Sequence, residues 1–463
     1  MNKKYNNSLV WFRRDLRDYD HAALSHALQE SKQVFCIFIF DKEILDVLKN
    51  KEDRRVEFIW ESIKELKESF IQKKSDLIVM HSLASEAITR VIDTFKIDAI
   101  YVNRDYEPHA IKRDEEIKNI AIKKNVVFYG FKDQVIFEQD EILTSLDKPY
   151  TVFTPYSRKW KALLAESVLP NYPSSASTNY ISETFSIPSL TDIGFQPSGL
   201  HFPQAIVADE LIKSYAQDRD FPAKPGTSRL SVHLRFGTVS IRSLVRQALG
   251  KSEVWLNELI WRDFYFNILH HFPHISERHS FRKEYDRMNW RNNEEEFKAW
   301  CEGKTGYPFV DAAMRQLLHE GWMHNRTRMV VASFLVKDLH LEWQLGERFF
   351  AEHLVDYDVA SNAHGWQWTA GTGTDASPYY RVFNPIEQGR RFDEDGTYIR
   401  KYVPELSHLS AAEIHEPWLY LDGYSHNYPE RIVDHALERL ESLARLQEIK
   451  ADKPEMPEKS TKS

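Results

Sequence analysis

Four short segments bring together residue types that can do chemistry. Pro225-Gly-Thr-Ser-Arg-Leu-Ser231 places a glycine, three hydroxyls and an arginine just before a helical pattern. Hydroxyls and open backbone N–H groups at a helix start suit a phosphate; the ordinary alternative is a simple N-cap. Around Glu258-Leu-Ile-Trp-Arg-Asp-Phe-Tyr265, the residues Trp255, Glu258, Arg262 and Tyr265 recur at helical spacing, with Trp261 beside them. A surface pair between Glu258 and Arg262 would add roughly a few tenths of a kcal/mol, but it leaves two tryptophans on a polar stripe unexplained. His324-Asn-Arg-Thr-Arg-Met329 sets Asn325 and Arg328 one turn apart, with Arg326 pointing elsewhere. The densest stretch, Asp356 to Asp375, packs Asp356, Asp358, Asn362, His364, Trp366 and Trp368 together with glycines into what reads as a loop. Asp356, Asp358 and His364 form a metal set by type; no second ligand cluster stands out, and no metal is expected.

These segments need elements to hold them. In the first 130 residues, short Val-, Ile-, Phe- and Tyr-rich runs at Ser8–Phe12, Val34–Phe40, Asp76–Met80, Asp98–Asn103 and Val126–Gly130 predict strands. Helical spacing over Arg54–Lys74, Ser82–Phe95 and His109–Lys124 separates them. Strand–helix alternation predicts a doubly wound parallel sheet, a fold that binds ligands at the carboxyl ends of its strands. No GxGxxG follows the first strand. Pro170–Pro203, rich in Ser, Thr, Asn and Pro, reads as a connection running over the surface. Beyond it helices dominate, with Trp255–His271, Pro308–Glu320, Trp322–Leu339 and Trp343–Leu354 the clearest. The expected domains are an α/β domain over 1–135, a connection over 136–203, a large helical domain over 204–448 and a tail over 449–463.

Composition limits the remaining choices. The 463 residues contain no apolar run long enough to span a membrane. The start of the chain lacks the apolar core of a signal peptide, and two cysteines cannot build a disulfide framework. A cytoplasmic protein is expected. The net charge of −8 argues against nucleic-acid binding over the whole surface, although Arg278, Arg282, Lys283, Arg287 and Arg291 gather locally. Nine of the 12 tryptophans fall between Trp255 and Trp418.

Taken together, the strings LVWFRRDLR, VFTPYSRKW, RDFPAKPGTSRLS, NELIWRDFY, EGKTGYPFVDAAMRQL, GWMHNRTRM and NAHGWQWTAGTGTDASPYYRVFNP resemble, in order and over nearly the whole chain, the photolyase/cryptochrome family. The likeness is to its bacterial cyclobutane-pyrimidine-dimer photolyases. It implies FAD in the helical domain and an α/β domain in front that carries an antenna chromophore. By motif position, Tyr215, Thr227, Ser228, Arg229, Leu230, Ser231, Trp255, Arg262, Asn325, Arg328, Asp356, Tyr357 and Asp358 match flavin contacts. Asn362 matches the residue facing flavin N5, which suits the reduced anionic flavin. Trp366, Trp343 and Trp290 match the family's electron-transfer chain.

The same resemblance implies ultraviolet-damaged DNA as partner, with the lesion flipped out of the duplex; photolyases are a standard case of base flipping. Trp261 and Trp368 match the aromatic walls of the lesion pocket, and Glu258 matches the acid that hydrogen-bonds the pyrimidine, expected to lie buried between aromatics. Arg219, Arg326 and Arg381 match phosphate contacts. Asn325 and Met329 stand where six-four photolyases carry histidines, which points to cyclobutane dimers. The folate antenna, 5,10-methenyltetrahydrofolate, has a pattern that Glu107 and His109 only partly meet. Ala110 replaces a carboxylate and Glu277 a lysine, leaving folate, deazaflavin, a second flavin or no antenna open. The alternative function is a cryptochrome-like photoreceptor without repair. A monomer that does not enter membranes is expected.

Overall fold

The five apolar runs of the N-terminal region form one parallel sheet: β1 (Tyr5–Phe12), β2 (Ser31–Asp41), β3 (Ile78–Ser82), β4 (Ala99–Asn103) and β5 (Val127–Phe131). Their order is β3-β2-β1-β4-β5, with Leu9 paired to Phe35 on one side and Ile100 on the other. Successive side chains point to opposite faces. Val10, Phe12, Cys36, Phe38 and Tyr101 therefore enter one core, while Leu9, Trp11, Ile37, Ile39 and Ile100 enter a second. A strand buried on both faces must be apolar throughout, which is why these runs lack alternation. Helices Ala22–Glu30, Arg54–Gln72, Ala84–Phe95 and Pro108–Lys123 cover the faces. The computed structural model describes residues 3–173, 185–375 and 381–451.

After Phe131 no strand longer than an isolated bridge occurs among the described residues, and helices take over. Contacts group the chain into two compact units. One comprises Met1–Arg219, Pro225–Pro273 and Val355–Ser361; the other comprises Asp220–Lys224, His274–Leu354 and Asn362–Ser463.

Three expectations need correction. The 170–203 stretch does not simply run over the surface: Leu190, Ile193 and Phe195 are buried in a sheet core. Trp60 Nε1 donates to the Pro188 carbonyl (2.9 Å) and Phe185 N to Asp76 (2.6 Å). Sparse apolar residues at irregular spacing can still be anchors when neighbouring side chains satisfy the backbone. The helix expected over Trp322–Leu339 begins at Asn325 and ends at Lys337, because Gly321 terminates the preceding helix in the left-handed region (φ +63°) and the His324 ring caps the next. The presumed loop at Asp356–Asp375 contains a helix, Val359–Ala370. There Ala360, Ala363, Trp366, Gln367 and Ala370 are buried at helical spacing, a period masked by the polar residues between them. Residues 174–184 of the connection, 376–380 of the last motif and 452–463 of the tail lie outside the described residues.

Candidate functional site

In the first unit, the helix Glu253–His271 carries most of the candidates. The Ser252 hydroxyl accepts from Trp255 N (3.2 Å) and starts the helix, and Trp255 is buried in its first turn. Glu258 is half-exposed and ion-paired with Arg219. That differs from the expected burial between aromatics: the carboxylate has a guanidinium partner. It also replaces the Glu258–Arg262 pair that spacing alone allows. Arg262 instead turns the other way and donates to the backbone carbonyls of Gln134 and Leu234. Trp261, one turn from Glu258, stacks face to face on Phe153, with ring centroids 3.6 Å apart and planes within 5°. Phe153 opens the helix Phe153–Glu166, which is fastened to the Glu253–His271 helix by Trp160 Nε1 donating to Asp263 (2.9 Å). Asp263 is fully buried and its carboxyl is pushed up to about 6, burial outweighing the help of Trp160, Arg262 and the Ile136 and Phe137 amides.

Thr227, Ser228 and Ser231 are half-buried and Arg229 is exposed, in the left-handed region at φ +53°; Leu230 is buried. Tyr215, half-buried, lies under the Arg219 guanidinium at 5.3 Å. Such hydroxyl and guanidinium donors fit phosphate oxygens.

Asp356 and Asp358 are buried, with Tyr357 half-buried between them. Asp358 has two tasks: Oδ1 accepts from Ser361 N (3.1 Å), capping the Val359–Ala370 helix, and Oδ2 accepts from Arg14 (2.6 Å). Burial pushes this carboxyl up, but the guanidiniums of Arg14, Arg235 and Arg262 hold it below its ordinary value. With both oxygens engaged, Asp358 has little left to offer a metal ion. Glu107, an antenna candidate, also accepts from Arg14 and Arg235, each at 2.7 Å; His109 is exposed in the first turn of the Pro108–Lys123 helix.

In the second unit, Asn362 Nδ2 donates to both the carbonyl (3.2 Å) and the carboxylate (3.0 Å) of Glu347. Both partners are acceptors, so the orientation of the amide is settled and its oxygen points away from them. Glu347 is buried and is itself held by Arg278 Nε (3.0 Å). Trp366 and Trp343 are buried. Trp366 packs against Trp300 (6.1 Å) and Phe350 (5.0 Å). It also lies so close to Gly346 that a Cβ there would clash with the indole. Trp290 is half-buried against Tyr285, Met288 and Leu446.

Asn325, exposed, starts the Asn325–Lys337 helix; Arg328 Nε donates to the Met323 carbonyl (2.8 Å), and Met329 is half-buried. Arg326 lies over the Phe392 ring (4.2 Å) and pairs with Asp220 (2.7 Å). Trp368 is half-buried and Arg381 exposed, the carbonyl of Arg381 accepting from the Lys337 ammonium. Sequence reading missed Phe153, Glu347, Gly346 and Trp300, which shape the candidates through contacts between positions remote in the chain. The Trp-rich composition was the only signal for Trp300.

Comparison with known proteins gives the family. Residues 8–174 match the family described as DNA photolyase, and residues 255–448 match the FAD binding domain of DNA photolyase. The chain belongs to the DNA photolyase family. It is 38% identical to the deoxyribodipyrimidine photo-lyase of Vibrio cholerae, covering 93% of this chain and 97% of that one. It is also 38% identical to the Escherichia coli deoxyribodipyrimidine photo-lyase, with coverage of 94% and 97%. Among solved structures it resembles a class III photolyase from Agrobacterium tumefaciens (TM-score 0.85, 33% identity, 97% and 99% coverage). An archaeal photolyase from Sulfolobus tokodaii, solved with two FAD molecules, is similarly close (TM-score 0.83, 32% identity, 96% and 100% coverage). The α/β plus helical fold expected from sequence is thus the one found, and so is the family.

Proposed function

We propose that this protein is a light-driven lyase that repairs cyclobutane pyrimidine dimers in DNA, with FAD as cofactor. Family membership and the curated relatives support repair over the cryptochrome-like alternative. When bound in its reduced form, the flavin supplies the electron that light moves onto the dimer and receives it back after the ring opens, so no net oxidation results.

The observation that carries the site assignment is the half-exposed Glu258–Arg219 pair one turn from Trp261, whose ring is clamped by Phe153. An aromatic face fixed by stacking gives a flipped base a rigid wall, and Glu258 offers a carboxyl to the pyrimidine edge once Arg219 is drawn to phosphate. Arg326, also partnered by a carboxylate, is proposed to exchange Asp220 for phosphate, and exposed Arg381 to join it. Trp368, Met329 and Asn325 complete the proposed lesion contacts. Such contacts orient DNA without reading its sequence and make affinity salt-sensitive.

For the flavin, the proposed phosphate donors are Thr227, Ser228, Arg229 and Ser231, with Tyr215, Leu230, Trp255, Arg262, Arg328, Asp356, Tyr357 and Asp358 as further contacts. Asn362 is proposed to present its amide oxygen to flavin N5. Because Glu347 takes both amide hydrogens, an N–H is the natural partner for that oxygen, as the reduced ring requires. Trp366, Trp343 and Trp290 are proposed to relay electrons inward. The proposed organisation keeps the α/β antenna domain at 1–135 and the helical FAD- and DNA-binding domain at 204–448. No helix among the described residues is long and apolar enough to cross a membrane; a cytoplasmic monomer is the proposed state.

The test is repair of ultraviolet-damaged oligothymidylate by the photoreduced full-length flavoprotein, read as recovered thymine absorbance. Recovery under blue light and not in darkness is expected. With flavin bound and reduced, its absence would overturn the reading. Glu258→Ala should lower repair yield while FAD stays bound.

A further inference from the structure

We infer that His270, His271 and Asp140 form a binding site for a borderline divalent metal ion, zinc above all, which fastens the turn at Gln139–Glu141 to the end of the Glu253–His271 helix. One nitrogen from each histidine and one oxygen of Asp140 all lie within 4.8 Å of one another. The two imidazoles are 4.9 Å apart, with planes at 75°. His271 Nε2 faces Asp140 Oδ1 across 3.8 Å, too far for a hydrogen bond. It is nonetheless buried, without a hydrogen-bond partner. Ligand atoms around one zinc ion sit about 2.0–2.2 Å from it, so a small closure brings this trio to bonding range.

The surroundings hold the ligands ready. Asn267, one turn before His271, donates through Nδ2 to the Gln139 carbonyl (2.8 Å), tying the turn to the histidine-bearing helix. Gln139 sits in the left-handed region at φ +47°. Glu138 and Glu141 close the turn through a capping box, and Glu138 is further held by the Tyr106 hydroxyl (2.6 Å). Lys132, the nearby ammonium, pairs with Glu141 (2.6 Å) rather than with Asp140. Two imidazoles and one carboxylate suit zinc and its neighbours in the first transition series, not the oxygen-seeking magnesium or calcium. Asp140 is largely exposed, which leaves the remaining coordination positions to water. The ion would link two segments of the first unit and take no part in electron transfer.

The experiment titrates chelator-stripped, full-length flavoprotein with zinc chloride by calorimetry and repeats the titration with cobalt(II), followed by visible absorption. One saturable site is expected, together with a rise in unfolding midpoint. Each of His270→Ala and His271→Ala should weaken it at least about tenfold, the scale on which even outlying partners of a metal site act. Asp140→Asn, at an exposed position, keeps the shape of the turn and should weaken binding with the fold and flavin spectrum intact. Loss of the cobalt bands in His271→Gln would identify the imidazole as a ligand. Absence of saturable binding by the native protein, or equal affinity in all variants, would overturn the assignment.

Discussion

Two buried carboxylates in the first unit and two in the second respond to burial in opposite ways. In the first, Asp133 is held far below its ordinary value despite burial, because Arg17 and Arg242 flank it at 2.6 and 2.8 Å. Asp105 is likewise held down to about 2, burial being outweighed by Arg14 and Arg113. In the second, Asp393 accepts from the amides of Tyr398 and Ile399, and burial still lifts it to about 6. Asp311, surrounded by Thr305, Gly306 and the Tyr428 hydroxyl, is also pushed up by burial. The same residue type, buried in each case, is therefore held below or pushed above its ordinary value according to whether its partners carry charge. Asp263 shows that the rule belongs to partners and not to the unit: held mainly by neutral donors, it too rises to about 6.

The comparison can be broken most forcefully at Asp133. Asp133→Asn takes the paired carboxylate from buried Arg17 and leaves Arg242 with Asp20, and should cost about 3–5 kcal/mol in denaturant unfolding. A loss below about 1 kcal/mol would show that the arginines re-pair easily. The matching change in the second unit, Asp393→Asn, disturbs hydrogen bonds without stranding a cation and should cost only about 1–3 kcal/mol. Equal costs for the two variants would remove the distinction.

Gly346→Ala probes the aromatic side of the second unit. Its methyl must displace the Trp366 indole, at about 1–3 kcal/mol for overpacking. Flavin photoreduction should also slow, since Trp366 is one of the proposed relays. Unchanged photoreduction, with the indole shown to have moved, would count against that role.

The smallest effect is the pH response. Asp393 titrates near 6 folded against 3.8 ordinarily, so the folded state keeps its proton longer and stability from this group falls as pH rises from about 4 to 6. Asp105, depressed, has the opposite sign: its contribution is present above 3.8 and is lost as pH falls toward 2. Hydrogen exchange resolved by residue should therefore show the Thr397–Tyr402 helix gaining protection from pH 6 to 4, by on the order of 1 kcal/mol. Residues around Asp105 should lose protection only below about pH 4. Parallel profiles in both regions would contradict the assigned partners.

Strands, the main helices and the family were legible because local periodicity and long ordered strings survive without knowledge of distant contacts. Val10 and Leu9 belong to apolar runs whichever face each one takes. The Val359–Ala370 helix was not legible, since its buried stripe is made of alanines, a tryptophan and a glutamine set among polar residues. For Glu258 the sequence showed a plausible partner four residues away, yet the structure chose Arg219, 39 positions distant.

The amino-acid order carried the fold class and, through the family resemblance, the expected flavin and DNA chemistry with its candidates Glu258, Trp261, Asn362 and Trp366. Tertiary structure alone decided which groups hold them: Phe153 under Trp261, Glu347 on Asn362, Gly346 against Trp366, Arg14 on Asp358. It likewise set His270 and His271 beside Asp140. The physical reason is range. Propensity and periodicity act over a few neighbouring residues, whereas ion pairing, stacking and ligand geometry depend on distances of a few ångströms that the chain brings about between remote positions.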